Sequence, residues 1–341
     1  MSRPDIGATS APKPRPVIKP PVWTPEIPAY FYTGGLAGAS AGLGLLSDLR
    51  GEHGMARRAW MLALAGSLVS PALLISDLGV PRRFLNMLRM FKVTSPMSVG
   101  SWILAAFGAA TAPAAAHALT GGALGRVGRT SQVASAALGL PLSSYTAALI
   151  ANTAVPVWHD ARVELPILFT AGAAASAGAA AVALAPVKEA QAARRLAVGG
   201  AVVEIATAQV MERRLDRLGV GEPYHEGVTK HLNHAASLLT LAGAGVVAGP
   251  GRRTRAAAIA GGLLITAGAI AERFTVFRAG SRSAERPEDT VGPQRARIER
   301  GETRGAARRE AQGTAYAPLG ADGAGPGERP VSPGSPAIPP R

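Results

Sequence analysis

A succession of long apolar runs constrains this chain more than any other feature. A helix that crosses the hydrocarbon core of a bilayer needs about 20 mostly apolar residues. Runs of that kind occupy roughly 27–49, 58–78, 97–119, 132–155, 164–185, 195–212, 232–249 and 256–277. In lipid the backbone must satisfy its own hydrogen bonds, so each run is read as a helix. The expected fold is an all-α integral membrane protein of about eight transmembrane helices, arranged as two four-helix halves with disordered tails. The expected divisions are a tail at 1–25, a first bundle at 26–158, a second at 159–278 and a basic tail at 279–341.

Composition supports that class once the tails are set aside. Only 48% of residues are hydrophobic and 17% charged, but Pro, Gly and Arg concentrate at the two ends. Such ends bury too little apolar surface to offset their ordering entropy. The formal charge of +14 would point to nucleic acid in a soluble protein. Here Lys and Arg flank the apolar runs, as membrane helices require, and no nucleic-acid-reading module accompanies them. Nucleic acid is therefore not expected as a partner. The chain has no cysteine, which excludes disulfides and Cys-ligated iron–sulfur clusters within it. The first 26 residues contain no apolar core of a cleavable signal, so the first span is expected to direct insertion.

An internal repeat is visible. Glu26-Ile-Pro-Ala-Tyr-Phe-Tyr-Thr-Gly-Gly aligns with Glu164-Leu-Pro-Ile-Leu-Phe-Thr-Ala-Gly-Ala, and Arg57-Arg58 aligns with Arg194-Arg195. Each half would hold four spans, so both would point the same way across the membrane. An even number of spans also puts both termini on one side. Positive charge is nearly balanced between the loops of the two faces and does not set the orientation.

Several polar residues fall where a membrane protein rarely places them without cause. Glu26, Tyr30 and Tyr32 open the first span, and Asp77 closes the second at the same face. Tyr145 lies in the fourth span, and Glu204 sits mid-span in the sixth. An ionised carboxylate there costs at least about 2.5 kcal/mol unless paired or hydrated. Glu204 is thus either a proton relay or a helix-to-helix tie. Asp77 is either a proton handler or a loop residue paired with Arg82 or Arg83. Between the second and third spans, Arg82, Arg83, Arg89 and Lys92 alternate with Phe84, Met87, Leu88, Met90 and Phe91. This basic amphipathic segment suits the boundary of a membrane surface and a partner protein. The histidines lie at mismatched depths or in loops, so bis-His haem is not expected; no other metal spacing is present.

The stretch Asp77-Leu-Gly-Val-Pro-Arg-Arg-Phe followed by Ser95-Pro-Met-Ser-Val-Gly-Ser-Trp102 closely resembles the NrfD/PsrC family of membrane subunits. Further likeness lies in Trp23 to Phe31, in Val155-Pro-Val-Trp158 and in Glu272-Arg-Phe-Thr-Val-Phe-Arg-Ala-Gly. The resemblance spans about residues 22–297. It implies a quinone-reactive membrane anchor of a respiratory molybdopterin and iron–sulfur oxidoreductase. Its partners would be a ferredoxin-like 4Fe-4S subunit and a molybdopterin-containing catalytic subunit, with membrane lipid around it. The exchangeable substrate would be menaquinone or ubiquinone. No haem, metal or iron–sulfur cluster is expected in the chain itself.

The same resemblance implies a quinone site in the first bundle, with Tyr145 at the position of the implicated tyrosine. Glu26, Tyr30 and Asp77 complete the candidate quinone-binding set; Tyr30 stands where some relatives carry a histidine. Asp77 and Glu204 are the candidate proton pathway, and Arg82, Arg83, Arg89 and Lys92 the candidate docking surface. The location implied is the cytoplasmic membrane of the cell, with extracytoplasmic termini. Two rival classes stay open on the residues alone, a proton-coupled secondary transporter and a purely structural membrane anchor.

Overall fold

The computed structural model describes residues 16–299 and Gly301. It is helical throughout, with no strand among the described residues. Eight long helices form α1 (Glu26–Leu49), α2 (His53–Asp77), α4 (Pro96–Leu119), α5 (Gly125–Ala151), α7 (Glu164–Leu184), α8 (Gln191–Arg217), α9 (Gly227–Ala248) and α10 (Arg255–Glu285). Short helices α3 (Arg83–Met87) and α6 (Pro156–Asp160) interrupt the connections, and α11 (Pro287–Glu299) follows α10.

Five of the long helices, α2, α4, α5, α7 and α10, are long and apolar enough to cross a membrane. The expectation of eight spans is met only to that extent. In α8 the shortfall comes from its charged residues, among them Arg194, Arg195, Glu204 and Glu212. In α9 it comes from Lys230, His231, Asn233 and His234. In α1 the cause is different. This helix touches α2, α5, α7 and α10, and its Gly, Ala and Ser residues let those neighbours approach closely. A helix enclosed by helices needs small residues more than high hydropathy.

The helices close into two rings with the same cyclic order. In the first, α1 packs on α2, α2 on α4, α4 on α5 and α5 back on α1. In the second the order is α7, α8, α9, α10. The rings meet chiefly through α1, α5, α7 and α10. At their junction, residues aligned by the internal repeat meet their own counterparts. Phe31 and Phe169 have ring centroids 5.7 Å apart, and a Cβ on Gly35 would lie 3.1 Å from that of Ala173. Self-contact of this kind is what a two-fold relation between equal units produces. The axis runs between α1 and α7, consistent with parallel repeats.

A second correspondence lies at the helix ends. The offset that aligns Arg57-Arg58 with Arg194-Arg195 also aligns Asp77 with Arg214. Asp77 Oδ1 accepts from Thr24 N at 3.0 Å and Thr24 Oγ1 at 2.5 Å, beside the start of α1. Arg214 Nη1 donates to both carboxylate oxygens of Glu164, at the start of α7, at 2.8 Å. In each half the end of the second helix therefore clamps the start of the first, with opposite polarity.

The C-terminal boundary differs from expectation. Residues 279–299, read from sequence as tail, are helical, because α10 runs on to Glu285 and α11 follows. Arg286 at the bend donates to Glu222 Oε2 at 2.6 Å and Glu226 Oε2 at 3.0 Å, both in the α8–α9 connection. Burial pushes the neighbouring Asp289 carboxyl up to about 6, against the Ser283 hydroxyl and the Arg286 charge. Near the N-terminus, Trp23 stacks on Trp158 of α6 at 5.7 Å. The remaining tail residues, 1–15, 300 and 302–341, lie outside the described residues.

Candidate functional site

The segment from Ser95 to Trp102 organises one face of the first ring. Ser95 Oγ accepts from Ser98 N at 3.4 Å and Pro96 occupies the first turn, the arrangement expected at a helix start. Ser98 Oγ then accepts from Lys92 N at 3.1 Å and donates to Met90 O at 3.0 Å. Trp102 Nε1 donates to the same carbonyl at 3.4 Å, and Phe91 meets the Trp102 ring edge-on. These contacts hold the preceding loop against α4. At its other end Gly79 takes a left-handed φ of 64° directly after α2, which a side chain would oppose.

The loop so held shows cations and apolar groups together. Arg82, Arg83, Arg89 and Lys92 are exposed, and none makes an ion pair among the described residues. Leu85, Met90, Phe91 and Val93 are 60–74% exposed. Asp77 bonds to Thr24 rather than to Arg82 or Arg83.

One turn into α4, Gly100 receives the ring of Tyr145 from α5; a Cβ there would collide with it. Tyr145 thus lies just inside the face that carries the basic loop, and its hydroxyl makes no hydrogen bond among the described residues. Gly100→Ala is expected to cost about 1–3 kcal/mol by overpacking. The measurement is thermal unfolding in detergent. The loss should shrink when Tyr145→Ala is combined with it, and equal losses in both backgrounds would disprove the contact.

Tyr30 on α1 is 2% exposed, and its hydroxyl also lacks a partner. Glu26 joins Asp77 at Thr24, and its Oε2 is buried without a partner. Glu26 and Asp77 therefore converge, whereas Tyr145 stands against α4. Elsewhere in the first ring Thr33 meets Ser70 at 3.0 Å and Thr111 meets Ser135 at 2.7 Å, while at the end of α1 Asp48 Oδ2 accepts from Trp60 Nε1 at 2.9 Å and Gln132 Nε2 at 2.8 Å.

The second ring has a charged centre that the first lacks. Glu204 of α8 and Arg273 of α10 are 3% and 2% exposed, with Arg273 Nη1 3.6 Å from Glu204 Oε1. Arg273 Nη2 donates to Phe169 O at 3.0 Å, and the guanidinium lies 4.2 Å from the Phe169 ring centroid. Gly172 leaves the space they occupy, since a Cβ there would strike both side chains. Glu272 is buried beside them, 5% exposed, and Tyr32 approaches from α1 near Ser176 and Thr266. The repeat aligns Glu204 with Ser67, a neutral residue, so the charge belongs to the second half alone.

From this centre, polar groups continue to the face bearing the basic loop. Glu212 neighbours Asn233, His234 and Glu272. His225 Nε2 and Asp216 Oδ1 are 2.9 Å apart at the outer end. Burial, with the charges of Glu272 and Glu212, pushes the Tyr224 phenol there well above its usual value. Asp77 and Glu204, named together as a proton pathway from sequence, stand in different rings. Sequence reasoning quoted Arg273 within a motif and gave it no role. From sequence it stood near the end of the 256–277 run, where flanking cations are ordinary, so no local signal singled it out.

These observations define the class: an all-helical protein with five helices long and apolar enough to cross a membrane and a buried charged centre in its second ring. Compared with models of known protein families and with curated proteins, the chain matches none.

Proposed function

We propose that this chain is the quinone-reactive membrane anchor of a respiratory oxidoreductase, passing electrons between a ferredoxin-like 4Fe-4S subunit and the quinone pool. A molybdopterin-containing subunit would complete the complex on the extracytoplasmic side, where the termini would also lie. One observation carries the reading: the Ser95–Trp102 segment both holds the exposed basic loop and seats Tyr145 immediately beneath it. A partner cluster docked on that loop would stand close to a quinone bonded by Tyr145.

In that role the chain's own groups bind, orient and deliver protons. Quinone reduction takes up two electrons and two protons at two carbonyl oxygens. Those oxygens need hydrogen-bond donors within an apolar slot. Tyr30 supplies a buried hydroxyl without a partner in the first ring, Tyr145 supplies a second hydroxyl on the ring seated at Gly100, and Glu26 with Asp77 supplies carboxyls at its mouth.

Tyr145→Phe keeps the ring against Gly100 and removes one donor. Losing a hydrogen bond costs about 0.5–1.5 kcal/mol, so quinone turnover should fall several-fold. Turnover of the assembled complex with an artificial electron acceptor should not change. Unaltered quinone turnover in Tyr145→Phe would refute the assignment.

The charged centre favours a second reading, a proton-coupled secondary transporter. Intramembrane ionisable residues mark ion and proton routes, and duplicated bundles are common among carriers. Purification separates the two readings. An anchor comes with iron–sulfur and molybdopterin subunits, whereas a carrier comes alone.

A further inference from the structure

The face opposite the basic loop carries a cationic cleft between the α7–α8 connection and the end of α9. A cavity of about 620 Å³ is lined by Lys188, Arg194, Arg195 and Arg252 together with Val187, Val198 and Ala248. A second cavity of about 480 Å³ shares Ala248 and Arg252 with it and adds Arg253 and Thr254. Two other cations of this face are already occupied. Arg58 Nη1 holds Glu189 at 2.6 Å, and Arg255 donates to the carbonyls of Val182, Ala183 and Ala185 at the end of α7. The cleft's own cations make no ion pair among the described residues. Arg194 is steadied by donating to Val187 O at 2.8 Å, yet its Nε is buried with no acceptor. Arg252 adds its positive charge beside it. Like charges gathered around a cavity, one with an orphaned donor, call for an anion.

We propose that this cleft binds the phosphodiester headgroup of an anionic phospholipid, and that its two joined cavities fit a lipid with two phosphodiesters. Basic pockets at the ends of membrane helices hold such headgroups. A free phosphate would satisfy the cations alone, but the surroundings favour a lipid. On α8, Gly199 and Val202 continue the Arg195 face away from the cleft, and Val202 is 60% exposed. On α9, Gly245, Leu241 and Leu238 continue the Ala248 face in the same direction, with the two leucines 62% and 66% exposed. Acyl chains of a lipid seated by its headgroup would lie along these exposed apolar stripes.

The test uses the full chain in neutral detergent, titrated with cardiolipin, phosphatidylglycerol, phosphatidylcholine or inorganic phosphate and read by native mass spectrometry and thermal shift. Cardiolipin is expected to bind tightest and phosphatidylcholine to give no specific adduct. Inorganic phosphate at matched phosphate concentration should stabilise little. Arg194→Gln combined with Arg252→Gln should weaken cardiolipin binding roughly twentyfold, since each cation near an anionic lipid contributes about a factor of five. Arg126→Gln with Arg129→Gln, exposed cations at the same face, should leave binding unchanged. If the first double variant does not fold, Lys188→Gln with Arg195→Gln, both exposed, reads the same cleft. Wild-type affinity in the cleft variants, equal binding of phosphatidylcholine, or equal stabilisation by inorganic phosphate would each overturn the proposal.

Discussion

Under the proposed anchor role, reversing Arg82, Arg83 and Arg89 to Glu should strip the iron–sulfur subunit from the purified complex while leaving the membrane chain inserted and folded. The three side chains are exposed and make no ion pair among the described residues, so their replacement removes nothing that holds the helices together. Surface substitutions of this kind usually move stability by no more than about 0.5 kcal/mol. At an interface the balance is different. Cations meeting carboxylates steer and register a partner, whereas like charges forced together cost several kcal/mol. Three reversals therefore predict at least a hundredfold loss of affinity. The apolar share of the contact, from Leu85, Met90, Phe91 and Val93, should then be too small to retain the partner alone. Co-purification at about 150 mM salt, where the Debye length is near 8 Å, reads the outcome. Wild-type amounts of the partner on the reversed chain would remove the loop from the interface. A complex formed by wild type that dissociates in high salt would support it independently.

The sequence made the helices legible because apolar length is a strong signal, and its short matched motifs pointed to a repeat whose aligned residues Phe31 and Phe169 lie in contact. The number of spans was less so. Hydropathy measures what a helix shows to lipid, and α1 shows little because four helices surround it. Its glycines and serines lower its hydropathy while letting those neighbours approach closely. The C-terminal boundary was hidden for another reason. Residues 279–299 have no apolar run, and their helical state depends on tertiary ties such as Arg286 with Glu222 and Glu226.

The candidate site divided in the same way. Local pattern identified the basic loop and Tyr145, but no sequence rule joined Tyr145 to Gly100 across two helices. Asp77 was left between two roles. Its bond to Thr24 and its alignment with Arg214 now give it a concrete place as the clamp of the first ring. Arg273 escaped notice because a cation inside an Ala/Gly-rich helix was treated as part of a motif. The carboxylate it faces is distant in sequence, on another helix.

That pair carries the largest stability effect expected of any single substitution here. Arg273→Met fills similar space but leaves Glu204 and Glu272 buried without their shared cation. It also forfeits the bond to Phe169 O and the contact with the Phe169 ring. Removing one partner of a buried ion pair costs about 3–5 kcal/mol, because the remaining charge stays desolvated. The variant should accumulate poorly and melt well below wild type in detergent. Replacing both members, Arg273→Met with Glu204→Leu, removes the stranded charge along with its partner. Apolar replacement of a whole buried pair is commonly neutral, or stabilising by about 1–4 kcal/mol, so most of the loss should return despite Glu272. Wild-type stability in Arg273→Met alone would show that the pair does not tie α8 to α10. The rescued double variant then tests function apart from folding. If the centre only fastens helices, quinone turnover by the assembled complex should survive the replacement. If it carries protons, the double variant should assemble normally and lose turnover, because an apolar centre interrupts the polar line that reaches Glu212 and the outer face.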